Sequence, residues 1–403
     1  MNRSRLIAHS LRMMKRYKLR TIFMMLGSLI GVAALTFVIS IGQSAERKMH
    51  TMIGQIFGNS SIIIHDGGGA MMGAPRVPGK RLKIDDIAAI QKELPEVQAW
   101  DPQQAVVASV RHGNAADSVQ VLGESERGEQ VWNRAVVRGQ FFDASAVVGS
   151  SRVVLIGETV ARELFGNDDP LSADIQIGSV PFRVIGILEP WGTDAHGMDR
   201  DNEVVVPIST LMRRVTNVDT ISTAKLIVSD PALAEDTKES IQRILRERHA
   251  LMAGQPDDFS IITATQVRRM MSQVQRVMYL YLPLVAAISL IAGGIVSASL
   301  MLVSVNERVG EIGLRQAVGA RPDAIRLQFI LETATTTVVG GLVGIIIGFA
   351  IAGMGASRMH LGEVYPSWAA AVLGMVASGV VGSLAGVLPA VRAARLKPAE
   401  ALR

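Results

Sequence analysis

Three stretches of this sequence carry residues whose types and spacing could do chemistry. The first, Gly73-Ala-Pro-Arg-Val-Pro-Gly79-Lys80-Arg81, has the glycines and the lysine of a phosphate-binding loop. In such a loop backbone N–H groups cradle phosphates, the lysine neutralises them and a hydroxyl holds magnesium. Five residues separate the glycines instead of four and Arg81 takes the hydroxyl position, so nucleotide binding is not expected here. The second stretch, Asp194-Ala-His196-Gly-Met-Asp199-Arg-Asp201-Asn-Glu203, gathers carboxylates and an imidazole that could converge on a hard cation. It has neither calcium-loop spacing nor a second histidine at helical distance, and the expectation is a solvated loop.

The third stretch, Asn306 to Arg321, offers docking chemistry. Glu311 and Arg315 stand one helical turn apart and can pair on a surface. Ile312, Leu314 and Val318 give a partial apolar face. Gly319 is placed to end the helix as a left-handed cap, and Pro322 to start the next. On physical grounds alone, a docking helix and an ordinary connection between two membrane spans fit these residues equally. No nucleophile and base, carboxylate dyad or zinc pair can be argued from the sequence, so no catalytic, cofactor-binding or metal-ligating residue is expected.

The elements that must position this stretch are membrane helices. The chain has 403 residues, 49% of them hydrophobic. No charged residue falls in Thr21–Ala45, Val277–Asn306, Thr333–Ser357 or Val364–Val391. Each run reaches the roughly 20 residues needed to cross a hydrocarbon core. The first exceeds the roughly 7 to 15 residues of a signal-peptide core, so it is read as a retained anchor.

Charge sets the expected orientation. The total of +5 conceals an asymmetry, because residues 44–276 hold 25 Lys and Arg against 30 Asp and Glu. A basic balance confined to the rest of the chain signals topology, not nucleic acid. Arg3, Arg5, Arg12, Lys15, Arg16, Lys18 and Arg20 precede the first span with no acidic residue among them. By the positive-inside bias both termini and the 306–325 loop are cytoplasmic, and the large insert is extracytoplasmic. The absence of cysteine excludes a disulfide framework in that insert.

The expected organisation follows. Residues 1–20 form a basic amphipathic helix on the inner leaflet, 21–45 the first span, and 46–264 an α+β insert. Residues 265–305 are a stalk running into the second span, 306–325 the connector, and 326–355 the third span. Residues 356–366 form an outer loop, 367–391 the fourth span, and 392–403 a cytoplasmic tail. Within the insert, strands are expected at 61–65, 97–111, 152–156, 180–188, 203–206, 223–228 and 259–263, with helices at 84–94, 158–165 and 232–249. Gly27 and Gly31, then Gly340, Gly344 and Gly348, then Gly382 and Gly386, recur every fourth residue in the spans. Lipid gives helices no hydrophobic reason to associate, so such small residues are candidate packing faces, within the chain or across a dimer.

The sequence resembles the MacB/FtsX-type permeases of the ABC superfamily, the mechanotransmission or type VII systems. The resemblance rests on Leu19-Arg-Thr-Ile-Phe-Met-Met-Leu-Gly27, Val136-Val-Arg-Gly-Gln-Phe-Phe142, Glu163-Leu-Phe-Gly166, Phe182-Arg-Val-Ile-Gly-Ile-Leu188 and Val205-Val-Pro-Ile-Ser209. It continues in Glu307-Arg308, Glu311-Ile-Gly-Leu-Arg315 and Ala317-Val-Gly-Ala320, and in Pro389-Ala-Val-Arg-Ala-Ala-Arg395. It implies a periplasmic core domain between spans one and two, in a four-span protein of the inner membrane. It also implies a coupling loop in which Glu307, Arg308, Glu311, Ile312, Arg315 and Gly319 contact a cytoplasmic ABC ATPase. ATP and magnesium are then expected in that ATPase, as a separate polypeptide, and no cofactor in this chain. The other implied partners are a second permease copy or paralogue, a periplasmic adaptor and membrane lipid. The implied function is export of a hydrophobic or amphipathic substrate. The alternatives are a non-transporting regulator of an extracytoplasmic enzyme and a module that senses antimicrobial peptides.

Overall fold

A computed structural model describes residues 18–58, 60–67, 79–193, 198–358 and 366–395. The expected N-terminal amphipathic helix, the Gly/Pro-rich loop after Gly67 and the tail from residue 396 lie outside the described residues. The chain divides into two compact units, Met1–Lys48 with Gln273–Arg403, and Met49–Ser272.

The first unit is helical. It takes its spans from α1 (Lys18–Phe57), α7 (Ala264–Glu307), α9 (Pro322–Arg358) and α10 (Trp368–Ala394). Each is long and apolar enough to cross a membrane. Small residues bring these helices together. A Cβ added to Gly27 would fall 2.1 Å from Cα of Gly293, so α1 and α7 touch backbone to backbone. Gly31 faces Leu290 on the same seam. Gly340, Gly344 and Gly348 of α9 lie in turn against Met25 and Ser28, Leu29 and Ala33, and Ala33 and Thr36 of α1. Gly382 and Gly386 of α10 lie against Thr337 and Thr333 of α9. Hydroxyls cross two of these seams. Ser297 donates to the Met24 carbonyl at 2.9 Å and Ser378 to the Thr337 carbonyl at 2.7 Å. Buried polar groups of this kind need such partners in lipid.

The second unit is α+β. Its strands are β1 (Ser61–Asp66), β2 (Val97–His112), β3 (Ala115–Glu124), β4 (Val136–Gly139), β5 (Val153–Ile156), β6 (Asp174–Ile177), β7 (Val180–Leu188), β8 (Glu203–Pro207), β9 (Thr223–Val228) and β10 (Phe259–Thr263). The helices are α2 (Ile84–Glu93), α3 (Gly128–Trp132), α4 (Ala144–Val148), α5 (Glu158–Phe165) and α6 (Ala234–Arg248). The strand order is β10-β1-β9-β2-β3-β8-β5-β7-β4. Strand β6 pairs with both β7 and β2 and so closes six strands into a ring. All six contribute to one apolar cluster, among them Val110, Val121, Ile156, Ile175, Phe182 and Val204.

The 16-residue β2 belongs to two lobes. Val97–Gln103 pairs with β9 in a four-stranded sheet, and Gln104–His112 pairs with β3 in the ring. The four-stranded lobe is covered by α2 and α6, whose Ile87, Ile90, Ile241 and Leu245 pack on Ile62, Ile64 and Leu226. The expected strands and helices of the insert stand where the sequence places them, within two residues at their ends. Strands β3, β4 and β6 and helices α3 and α4 are additional, as is a π-helical segment at Leu211–Thr216.

Candidate functional site

The connector between α7 and α9 forms helix α8 (Val309–Ala317). Its surface pair is made, with Arg315 donating to Glu311 one turn earlier. The helix stops because Gly319 adopts φ +95°, a conformation that residues with a Cβ rarely take. The Ala320 N–H then donates to the Arg315 carbonyl at 3.0 Å, which closes the helix end. Pro322 starts α9, as expected of a residue with no N–H to leave unpaired.

One side of α8 is a plug in the end of the bundle. Ile312 is only 4% exposed. It belongs to a cluster with Met24 of α1, Met301 and Val305 of α7, Ile325 and Phe329 of α9, and Ala390 and Ala393 of α10. Residues of all four spans therefore share one apolar cluster with this side chain. Gln316 donates to the carbonyls of Ala393 and Ala394 at 3.4 Å, which satisfies acceptors at the end of α10. Arg315 also reaches Gln328 of α9 at 3.0 Å.

The structure corrects two expectations about this site. Arg308 and Ile312 are turned inward in this chain, Arg308 being 9% exposed and 3.5 Å from Glu332 of α9 while Ile312 is the plug. Nor do Ile312, Leu314 and Val318 share a face. At about 100° per residue, Leu314 and Val318 lie roughly 200° and 240° around the helix from Ile312. They are instead 57% and 82% exposed. The outward surface thus includes Glu307, Gly310, Glu311, Leu314, Ala317, Val318 and Gly319, with Arg315 half-buried at its edge. Two neighbouring apolar side chains beside an ion pair make a surface suited to protein contact.

The insert holds charged residues that the sequence reading did not single out. At the point where β2 passes from one lobe to the other, the buried Asp101 carboxylate accepts from Ser125 N–H at 3.1 Å and from Trp132 Nε1 at 2.8 Å. Gln103 donates to buried Glu124 at 2.7 Å, and the Lys225 ammonium lies 5.6 Å from the Trp132 ring centroid. Burial raises the Asp101 carboxyl to about 6. Burial, with the nearby Asp101 charge adding to it, pushes Glu124 up to about 8. Burial brings Lys225 down to about 8.

Beside this group Arg134 donates to Glu203 and, at 3.1 Å, to Asp201, and its guanidinium stacks 5.0 Å from the Trp191 ring centroid. Asp201 also accepts from the N–H groups of Trp191 and Gly192, both at 2.8 Å. The expectation of a solvated loop therefore fails at Asp201 and Glu203, which are buried structural anions. Asp194 and His196 lie outside the described residues. Among the described residues no three His, Asp or Glu side chains gather as a metal site.

Comparison with known proteins follows this division. Residues 21–244 match the MacB-like periplasmic core domain, and residues 283–398 match the FtsX-like permease C-terminal region. The chain is 32% identical over 389 residues to the macrolide export ATP-binding/permease protein MacB of Bdellovibrio bacteriovorus, covering 96% of this chain and 59% of that one. It is 33% identical over 391 residues to the pyoverdine export ATP-binding/permease protein PvdT of Pseudomonas putida, covering 96% of this chain and 57% of that one. The chain thus spans just under three fifths of the length of these curated relatives. The crystal structure of the periplasmic region of MacB from Actinobacillus actinomycetemcomitans aligns at 21% identity with a TM-score of 0.47, over 54% of this chain and 95% of that one.

Proposed function

Because the chain belongs to the family built from a MacB-like periplasmic core domain and an FtsX-like permease C-terminal region, we propose that it is the permease of an ABC exporter. An ABC ATPase is the partner that the family implies. In this reading the ATPase binds the outward face of α8, and its ATP-driven closure displaces that helix. The motion passes to the spans and changes the shape of the insert, which does the work on substrate. The observation that carries the reading is the seating of Ile312, because a helix whose buried side shares an apolar cluster with all four spans is packed to move with them. Tightly packed elements rearrange as units instead of deforming locally.

The positive-inside bias favours α8 and both termini in the cytoplasm and the insert outside it, which is the periplasm if the cell has two membranes. Export is supported by the export functions in the names of the relatives, and a hydrophobic or amphipathic compound is the cargo this reading proposes. The exposed apolar rows of the spans suit lipid and a second permease, either a copy or a paralogue. A periplasmic adaptor would complete the path outward. ATP and magnesium act in the ATPase.

The test is to solubilise the tagged chain from its native membrane and identify what accompanies it, beside a Glu311→Arg variant of matched thermal stability. Recovery of an ABC ATPase with the wild type and its loss from the variant is the expected result. Recovery of the chain with no ABC ATPase in either sample would contradict the reading.

A further inference from the structure

Arg308 and Glu332 form a buried ion pair at the ends of two charge-free runs, Val277–Asn306 and Thr333–Ser357. Arg308 is the residue on which α7 ends and α8 begins, and its guanidinium lies 3.5 Å from the Glu332 carboxylate. Both side chains are about 9% exposed. Glu332 sits one residue before the charge-free run that begins at Thr333. It is ten residues into α9, or about 15 Å along it at 1.5 Å per residue.

Stability does not account for such a pair. Two charges taken out of water cost more than their attraction usually returns, and apolar residues of similar volume commonly serve as well or better. A buried ionisable pair where membrane spans meet a connector is accordingly a functional hypothesis by default. The best-attested use of a buried pair is to fix one register between two elements. Here those elements are the connector and the third span.

The other contacts of the connector do not supply that link at the same depth. Arg315 reaches α9 only at Gln328, one turn nearer its start, through a side chain that is partly solvated. Ile312 makes apolar contacts, which carry no direction. The Arg308 to Glu332 pair is directional and holds α9 deeper than either. Beyond Glu332, Thr333 and Thr337 face Gly386 and Gly382 of α10, while Gly340, Gly344 and Gly348 continue along α1. Displacing Glu332 would therefore move the seams that pack the rest of the bundle.

We infer that Arg308 and Glu332 are positioning residues that link movement of the connector to the third span. The pair transmits force and does not itself bind the ATPase. This inference rests on the proposed function, in which α8 is the element that the ATPase moves.

The test uses the full chain with its partner ATPase in proteoliposomes. The variants are Arg308→Glu, Glu332→Arg, the exchanged pair, and Arg308→Gln with Glu332→Gln. The last removes both charges of the pair together, so it is the variant least exposed to misfolding. Three quantities are read on each: thermal stability, ATPase co-purification, and export per ATP hydrolysed. The Gln pair should keep stability and ATPase binding while export per ATP falls about tenfold, within the range that coupling mutations reach. The exchanged pair should recover to within about threefold of wild type, and the single reversals should not.

Normal export per ATP in the Gln pair would overturn the inference. So would loss of ATPase binding in that variant, because the pair would then belong to the docking surface. An exchanged pair that is stable yet no better than the single reversals would also overturn it. If instead the wild-type chain neither bound nor used an ABC ATPase, the proposed function itself would have failed, an outcome distinct from all of these.

Discussion

The two units of this chain solve the burial of polar groups in opposite ways. In the helical unit the close helix contacts are made over glycine, alanine and hydroxyls, Ser297 and Ser378 donate to carbonyls of a neighbouring helix, and the buried ion pair sits at one end. In the insert, charges lie deep in the fold, at the junction where β2 changes lobes. The helices have no water with which to satisfy a charge, so they are held by close approach and become intolerant of volume. The insert folds against water and tolerates charge if it is paired, and becomes sensitive to the loss of a partner and to pH.

The largest expected effect tests the insert. Arg134→Ala leaves Asp201 and Glu203 buried without their common cation, and should destabilise this unit by about 3 to 5 kcal/mol. Hydrogen exchange on the full chain would localise the loss to β8 and the Trp191 loop. A change below about 1 kcal/mol would place these anions with the surface pairs, which contribute little.

The next tests the bundle. Gly27→Leu must push Gly293 away, because even a Cβ has no room there. Overpacking of this kind costs about 1 to 3 kcal/mol, read as thermal stability of the solubilised chain. Gly42→Ala, where no atom lies within 4 Å, should be neutral or slightly stabilising, by up to about 1 kcal/mol. Equal effects of the two substitutions would deny that the Gly27 seam is a close contact.

The third is a pH dependence confined to the insert. Glu124 titrates near 8 in the fold against an ordinary 4.5, because burial favours its neutral form. Its contribution is fully present below the ordinary value and is lost as pH rises through about 8. Asp101, raised to about 6, acts in the same direction. Lys225, lowered to about 8 from 10.5, opposes them only above pH 8. Insert stability followed by hydrogen exchange should therefore fall between pH 5 and 8. Glu124→Gln should flatten most of that slope, whereas an unchanged slope would assign it elsewhere. The smallest effect is that of Asp143→Ala, which removes the acceptor for the Ala146 N–H at the start of α4 and should lower thermal stability only slightly.

What the sequence made legible follows the same division. Spans announce themselves because one charge in 20 residues is enough to break the pattern, and Gly319 and Pro322 bound the connector because each has one conformational role. The direction that α8 faces was not legible. Period alone says which residues lie together, and Ile312 lies opposite Leu314 and Val318. Which side turns inward depends on Met24, Phe329 and Ala390, all distant in sequence. Likewise Gly27 is recognisable as small, but its partner Gly293 sits outside any fourfold glycine spacing. In the insert, the isolated alternation of 180–188 marks a strand. The four-residue β6, which closes the ring, is too short to show a period. The charge group at the lobe junction had no local signal at all, since Asp101, Glu124, Arg134 and Lys225 come from four separate segments.

The central claim is that the outward face of α8 docks the ATPase while the opposite face holds the bundle. The sequence contains no cysteine, so single cysteines report one position each. The most direct measurement is cross-linking of Leu314→Cys, Val318→Cys, Ile312→Cys and Met252→Cys variants to the ATPase in native membranes. Cross-links from Leu314→Cys and Val318→Cys, and none from Ile312→Cys or from Met252→Cys in the insert, are the predicted result. Cross-links from Met252→Cys with none from Leu314→Cys or Val318→Cys would contradict the account.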